Sequence, residues 1–182
     1  MAEWVQLSSE VVHEGPFLTL HRDTVVKPDG VGTGIYEHIS VDDTVRVVAL
    51  DDHGRVAIVE DDFYLQRRRV QHLPGGGSAG QEPPQAARRE LEEETGVLAG
   101  ALHPLGVIDP LPATTSARTH LFLATDLHPG QLHRDDTEIG MTVAWIPLAD
   151  AVDAVRSGRI TEAGSVTAIL LAQERAEVVP EG

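Results

Sequence analysis

A glycine-rich loop followed at once by a helix with clustered carboxylates constrains this chain more than any other feature. Residues 73–97 read LPGGGSAGQEPPQAARRELEEETGV. Residues three and four apart share a helix face, so Glu90, Glu93 and Glu94 form one acidic stripe. Carboxylates gathered on one face repel each other unless a cation lies among them, and oxygen ligands favour hard ions such as Mg²⁺ or Mn²⁺. The segment therefore predicts a divalent-metal site that can hold a diphosphate.

The ends of the predicted helix are marked in the sequence. Pro83 and Pro84 suit its first turn, and Gly96 suits its C-terminal stop. Arg89 lies four residues before Glu93 and can hold that carboxylate in place. The competing interpretation is an ordinary solvated helix with exposed salt bridges.

The spacing within this segment favours the metal site, because it closely resembles the box of the Nudix hydrolases, G-x5-E-x7-R-E-U-x-E-E-x-G-U with U apolar. The positions in register are Gly75, Arg89, Glu90, Leu91, Glu93, Glu94, Gly96 and Val97. The resemblance implies that Glu90 and Glu94 bind the metal ion, that Glu93 is a third ligand or a catalytic base, and that Arg89 belongs to the catalytic group. The resemblance also implies that the Gly75 carbonyl completes the metal shell.

One position departs from the box, since Gln81 stands where the pattern has its first glutamate. Glutamine keeps a hydrogen-bonding side chain but lacks the negative charge. Our hypothesis is that Gln81 weakens or retunes metal binding without abolishing it.

Other segments resemble the ADP-ribose pyrophosphatase branch of this family, among them GPFL at residues 15–18 and GRITEAGSV at 158–166. The branch implies an α/β/α sandwich with a mixed sheet, and a homodimer in which the N-terminal hairpin is exchanged or packed across the interface. This chain departs from the branch at Phe63 and His72, where the branch has arginine and glutamate and contacts its substrate. ADP-ribose itself is therefore in doubt as the substrate.

Five residues are candidates for binding substrate: Phe63, Arg67, Arg68, Arg69 and His72. The three arginines are unusual in so acidic a chain and could grip phosphate, although a solvated loop run explains them equally well. His72 either contacts substrate or bridges strand and loop. Phe63, Tyr64 and Trp145 are the aromatic residues to consider for stacking on a base, although such residues more often lie in a core.

Hydrolysis also needs a base for water, and relatives often take it from a loop downstream of the box. Glu138 is our first candidate and Asp136 the second, with an acidic surface turn as the competing explanation. Glu93 is a third candidate, and the sequence does not choose among them.

Composition limits the partners and the compartment. The formal charge of -15 argues against nucleic acid and anionic membrane as partners. There is no cysteine, which excludes disulfides and thiolate chemistry. We see no transmembrane segment and no signal-peptide pattern, so we expect a cytoplasmic protein.

Hydrophobic patterning predicts an α/β fold. Strands at residues 17–26 and 34–39 indicate an N-terminal hairpin, and strands at 44–50 and 55–60 a second one. Further strands are expected at 120–125 and 143–146, with helices at 148–157 and 165–176. We divide the chain into an N-terminal β-hairpin segment at a dimer interface (1–42), a Nudix hydrolase domain (43–178) and a frayed tail (179–182).

The resemblance implies a metal-dependent hydrolase, with Mg²⁺ as cofactor and Mn²⁺ as the alternative. Its substrate is a nucleoside diphosphate linked to another group, such as an NDP-sugar or an ADP-ribose-like compound, and its products are a nucleoside monophosphate and a phosphorylated product. A second hypothesis is a binding module of the same fold with little or no hydrolysis, motivated by Phe63, His72 and Gln81. A third is an enzyme for a non-nucleotide phosphate or an isopentenyl-type diphosphate, since fold does not dictate substrate.

Overall fold

Two compact units make up the described part of the chain. The computed structural model describes residues 3–132 and 140–178. One unit contains residues 3–42 and 111–117, and the other contains the remaining described residues. The loop and helix at residues 73–97 lie wholly in the second unit.

The first unit is built on a three-stranded antiparallel sheet. Its strands are β1 (Val5–Glu14), β2 (Thr19–Val26) and β3 (Thr33–Ser40), in the order β1-β2-β3. β2 and β3 form the predicted hairpin. β1 was not predicted from the sequence, because all ten of its residues are exposed and no alternation of buried and exposed side chains marks the strand.

The second unit contains a mixed three-stranded sheet. β4 (Thr44–Ala49) runs parallel to β8 (Thr119–Pro129), and β8 pairs antiparallel with β7 (Val97–Ile108). β4 was expected from its apolar run. β7 was not, because Gly100, Pro104 and Gly106 interrupt it and remove the usual strand signal.

A second sheet of this unit is antiparallel, with β5 (Arg55–Phe63) between β6 (Arg68–His72) and β9 (Thr142–Pro147). The prediction that β4 and β5 form a hairpin is wrong. The two strands belong to different sheets, and an isolated bridge joins Leu50, the residue after β4, to Val56 of β5. The turn signal between them marks a change of sheet instead.

Helices cover the sheets of the second unit. α1 (Pro83–Thr95) buries Ala86, Ala87 and Leu91 in a core shared with β4 and β8. α2 (Leu148–Arg156) and α3 (Ala163–Val178) contribute to a second core, which includes Leu73 and Leu121. The predicted α/β fold with a mixed sheet is confirmed.

No helix within residues 3–132 and 140–178 is long and apolar enough to cross a membrane.

Candidate active site

The loop between β6 and α1 lies against the backbone of β4. The Val47 amide donates to the Pro74 carbonyl at 2.9 Å, and the Val45 amide donates to the Gly76 carbonyl at 2.9 Å. Between these contacts Gly75 has φ 141°, and a Cβ on it would overlap the Val45 carbonyl oxygen. A residue with a side chain does not fit there, so Gly75 is what allows the loop to reach the strand.

α1 presents its carboxylates on the side of this loop. The helix begins at Pro83, and Gly96 closes it with φ 69°, as the sequence predicted. Glu90 and Glu94 are buried, with 8% and 3% of their surfaces exposed, whereas Glu93 is half-buried. Buried carboxylates are costly unless they are paired, so the contacts of these three side chains decide what the site can do.

Each of the three carboxylates has a close partner. The Gly75 amide donates to Glu94 Oε2 at 3.0 Å. Arg89 lies between the other two, with Nη2 at 2.7 Å from Glu90 Oε1 and Nη1 at 2.7 Å from Glu93 Oε2. The loop and one arginine thus hold all three side chains on one face of α1.

Gln81 also contacts Arg89. The Arg89 Nε donates to Gln81 Oε1 at 2.9 Å, and Nη2 donates to the Gly77 carbonyl at 2.9 Å. Burial lowers the pKa of Arg89, but the charges and hydrogen bonds of Glu90 and Glu93 outweigh it and raise that pKa above its ordinary value. Gln81 therefore supports the guanidinium without adding a charge.

A cavity of about 460 Å³ opens over this face of α1. It brings together seven of the predicted site residues: Phe63, His72, Gly75, Arg89, Glu90, Glu93 and Glu94. Tyr64, considered for stacking on a base, also lines the cavity, whereas Trp145 does not. The other lining residues were not predicted from the sequence: Arg46, Asp61, Asp62, Gly76, Gly77 and Met141. Carboxylates and two arginines thus line the cavity.

Phe63 and His72, the two departures from the ADP-ribose pyrophosphatase pattern, contact each other in this cavity. Their rings meet edge to face, with centroids 5.4 Å apart and planes at 79°. His72 Nδ1 lies 2.9 Å from the Leu73 carbonyl, which it can contact only as a donor, so in the neutral ring Nε2 is the acceptor. Nε2 is buried and has no hydrogen-bond partner among the described residues. Burial and the charge of Arg46 lower the pKa of His72 and keep the ring neutral.

Among the described residues that line the cavity, none belongs to the run of three arginines. Arg67 occupies the turn after β5 with φ 51°. Arg68 Nη2 donates to Thr161 Oγ1 at 3.0 Å, and Arg69 Nε donates to Glu60 Oε1 at 2.7 Å. Arg69 is therefore engaged in an ion pair between β6 and β5, and a grip of these arginines on phosphate stays a prediction.

The two downstream candidates for the base, Glu138 and Asp136, lie outside the described residues. Glu93, the third candidate, lines the cavity with 37% of its side chain exposed.

The sequence of this chain matches a known protein family over most of its length. The model of the NUDIX domain matches residues 41–166. The chain belongs to the Nudix family. The prediction of a Nudix hydrolase is thereby confirmed, and a second model, the Nucleoside diphosphate sugar hydrolase N-terminal domain, matches residues 4–39.

Individual relatives agree with this assignment. The chain is 33% identical over 169 residues to an ADP-ribose pyrophosphatase of Mycobacterium tuberculosis, covering 90% of this chain and 80% of the relative. It is 28% identical over 165 residues to an ADP-ribose pyrophosphatase of Bacillus subtilis, covering 90% and 89%. Among solved structures, an ADP compounds hydrolase has the same fold, with a TM-score of 0.86 and 23% identity over 97% of this chain and 95% of that one.

Nudix hydrolases generally use divalent metal ions, and the side chains at this site have the chemistry for one. The cavity offers carboxylate and carbonyl oxygens, the donors preferred by hard cations. A Cβ at Gly76 would lie 2.9 Å from both Glu90 carboxylate oxygens, so the bare backbone leaves room for that carboxylate. Within the described residues no three His, Asp or Glu side chains are grouped closely enough to hold a metal ion. The donors fit, and Glu90 and Glu93 are at present paired with Arg89.

Arg46 is a cavity residue that was not predicted, although the sequence contains a signal for it. It interrupts the buried run of β4 between Val45 and Val47, neither of which is exposed. A charged side chain in such a strand needs a partner. An arginine within an apolar strand is therefore a sign that the residue has a specific role. Its partner, Glu162, lies 116 residues away and could not be identified from the sequence.

Proposed function

We propose that this Nudix hydrolase cleaves the diphosphate bond of a nucleoside diphosphate linked to a second group, such as a sugar. The products are a nucleoside monophosphate and the phosphorylated second group. The observation that carries the proposal is that the Gly75 loop, the carboxylates of the box and Arg89 line one shared cavity over α1. The names of the relatives, ADP-ribose pyrophosphatase, and of the N-terminal family model point to the same substrate class.

The cofactor is Mg²⁺, with Mn²⁺ as the alternative. A bound divalent ion would offset charge on the phosphate oxygens and lower the pKa of the attacking water. Glu90 and Glu94 are the proposed ligands, with Glu93 as a third and the Gly75 carbonyl beside them. Arg89 positions Glu90 and Glu93 through the two contacts of 2.7 Å.

A carboxylate accepts the proton of the attacking water. Glu138 is the first candidate, Asp136 the second and Glu93 the third. Glu93 as base requires release of its bond to Arg89, because its Oε2 already accepts a hydrogen bond from Arg89 Nη1 at 2.7 Å. Replacing Glu138 and Glu93 by Gln one at a time separates the candidates: the base shows the larger loss of kcat and the altered pH profile.

In this proposal Phe63 and His72 contact the second group of the substrate, the one linked to the nucleoside diphosphate. A neutral histidine whose acceptor nitrogen has no partner among the described residues suits a hydrogen-bond donor such as a sugar hydroxyl, provided that substrate binding exposes this buried atom. Phe63 adds an apolar surface where the branch has a charge. Together they favour an NDP-sugar or an ADP-ribose-like compound whose second group carries hydroxyls, and we retain Arg67, Arg68 and Arg69 as candidate phosphate contacts.

The chain acts on its small-molecule substrate as a cytoplasmic homodimer in this proposal, with neither nucleic acid nor membrane as partner. The formal charge of -15 opposes binding to polyanionic surfaces.

The test is a panel of NDP-sugars, dinucleotides, ADP-ribose and NTPs, incubated with Mg²⁺, with Mn²⁺ or with chelator, and analysed for phosphorylated products. Metal-dependent release of a nucleoside monophosphate from one class supports the proposal. Replacing Glu93 and Glu94 together by Gln should abolish that release. Activity that survives this double substitution would sink the proposal.

The alternative is a nucleotide-binding or sensing module of the same fold with little or no hydrolysis. Gln81 favours it, since it removes one negative charge from the box. Retention of Glu90, Glu93 and Glu94 speaks against it, because a module freed from catalysis has no chemical need for a costly carboxylate cluster. Tight nucleotide binding without metal-stimulated turnover would identify the module.

A further inference from the structure

Arg46 of β4 brings a positive charge to the cavity over α1. It lies on β4 beside the Gly75 loop, its side chain is 12% exposed, and it lines the same cavity as Glu90 and Glu94. A buried guanidinium keeps its charge at any ordinary pH. The cavity therefore has a second cationic side chain besides Arg89.

Three contacts fix the orientation of this guanidinium. Nε donates to Glu162 Oε2 at 3.0 Å. Nη1 donates to two carbonyl oxygens, those of Val45 at 2.9 Å and Gly75 at 2.6 Å. Among the described residues Nη2 makes no hydrogen bond, so two of the five N–H groups are left for another partner.

Arg89, the second arginine of the cavity, has no side-chain nitrogen without a protein partner. Arg89 has a protein partner at each of its three nitrogens: Gln81 at Nε, Glu93 at Nη1, and Glu90 with the Gly77 carbonyl at Nη2. Arg89 therefore serves the carboxylates. Arg46 is the cavity arginine with donors to spare.

The fold holds Arg46 in place through the start of α3. The Glu162 carboxylate accepts hydrogen bonds from the Gly164 amide at 3.0 Å and the Ser165 amide at 2.7 Å, besides its bond to Arg46. A Cβ at Gly164 would lie 2.9 Å from Arg46 Cγ, so the first turn of α3 leaves room for the arginine stem. An arginine fixed in this way loses little rotamer entropy when an anion binds.

We propose that Arg46 binds a phosphoryl oxygen of the diphosphate through Nη2, while the same guanidinium holds the Gly75 carbonyl in position. The inference rests on the proposed function for its substrate class and adds a substrate-binding residue to it. The chemistry agrees, because a diphosphate entering a cavity lined by five carboxylates needs cationic partners besides metal. Planar guanidinium donors match phosphate oxygens.

The experiment compares the full-length chain with Arg46→Met and Arg46→Lys, using Arg55→Met as matched control. Arg55 pairs with Asp51 at 2.8 Å, and neither residue lines the cavity. Binding of ADP and of adenosine is measured by calorimetry in the presence of Mn²⁺. Loss of a charged hydrogen bond to phosphate should weaken ADP binding by about 10- to 100-fold in Arg46→Met. Adenosine binding and the Arg55→Met variant should keep wild-type values.

Arg46→Lys keeps the charge but loses the fork of donors, so it should weaken ADP binding less than Arg46→Met, and it provides the measurement if Arg46→Met does not fold. A folded Arg46 variant that binds ADP as tightly as the wild type overturns the inference, as does a wild-type chain that binds ADP no more tightly than adenosine. Failure of the proposed function gives a different result: no turnover on the panel, with ADP binding still dependent on Arg46.

Discussion

At Gln81 the structure gives a reason for expecting retuned rather than absent metal binding. Its side-chain oxygen already lies 2.9 Å from Arg89 Nε, so the contact that a glutamate would make is present without its charge. A carboxylate at 81 would draw the guanidinium away from Glu90 and Glu93 and leave those side chains freer to bind a cation.

Gln81→Glu should therefore raise the affinity for Mn²⁺, by on the order of fivefold for about 1 kcal/mol of added interaction. Electron paramagnetic resonance of free Mn²⁺ measures this directly. Gln66→Glu is the matched control, because it adds the same charge at an exposed position of the turn between β5 and β6, and Gln66 does not line the cavity. If Gln81→Glu left metal affinity and turnover both unchanged, our reading of this residue would be wrong.

The residues of the box could be selected from the sequence because their spacing is local. Glu90, Glu93 and Glu94 lie within five positions, and helix geometry alone puts them on one side. Arg46 was missed because its role depends on Glu162 and on the Gly75 carbonyl, and strand pairing and α3 bring these together from distant parts of the chain. The contact between Phe63 and His72 likewise depends on the register of β5 and β6.

At the scale of elements, the adjacent loop glycines Gly75 and Gly76 have different structural roles. Gly75 faces the rigid backbone of β4, where a Cβ would overlap a carbonyl oxygen. Gly76 faces the Glu90 carboxylate, the movable end of a side chain, at 2.9 Å. Crowding against backbone strains the fold, whereas crowding against a side-chain end displaces that side chain.

Gly75→Ala should thus lower the free energy of unfolding by roughly 2 kcal/mol or more. Gly76→Ala should leave stability nearly unchanged and weaken Mn²⁺ binding by about tenfold, because Glu90 is pushed aside. Urea unfolding and metal titration of both variants separate the two effects. Equal losses of stability in the two variants would contradict this division of roles.

The start of α3 depends on the ionisation of Glu162. Burial alone would raise the pKa of this carboxyl, but the charge of Arg46 and the hydrogen bonds from Ser165 and Gly164 lower it to about 2 from 4.5. A folded-state pKa below the unfolded one means that the ionised group stabilises the fold above about pH 4.5 and that this contribution disappears as pH falls toward 2.

Glu162→Gln should therefore be less stable than wild type at pH 7, by up to about 3 kcal/mol. The difference should narrow steadily between pH 5 and pH 3 in urea unfolding. Glu174→Gln, at an exposed position of the same helix, is the control and should show no such narrowing. A stability difference that stays constant with pH would show that Glu162 acts through packing instead.

Elements were predictable where hydrophobic patterning was strong. β4, β5 and α1 carry buried apolar runs or a clear helical face, and the sequence identifies them. β1 is exposed throughout and β7 contains glycine and proline, so neither has a local signal, and pairing with neighbouring strands decides their structure. The wrong pairing of β4 with β5 has the same origin, because a turn signal does not specify which sheet the next strand joins.

At the scale of the whole molecule, the first unit exposes large apolar side chains. Trp4, Leu7, Val11, Phe17 and Val31 are between 54% and 87% exposed. Among residues 3–132 and 140–178, β1 pairs in the sheet with β2 alone and is therefore an edge strand. Exposed edge strands and contiguous apolar surface are typical of interfaces, which supports the expected homodimer formed through residues 1–42.

Sedimentation equilibrium should accordingly give a mass of two chains rather than one chain of 19.6 kDa. A double substitution in β1, Leu7→Asp with Val11→Asp, should shift the equilibrium toward one chain, because burying two carboxylates in an apolar interface costs several kcal/mol. Leu65→Asp is the control, since Leu65 is 83% exposed in the second unit and lies outside the proposed interface. A wild-type chain that stays monomeric at millimolar concentration would exclude the dimer, whereas a dimer that survives the double substitution would place its interface elsewhere.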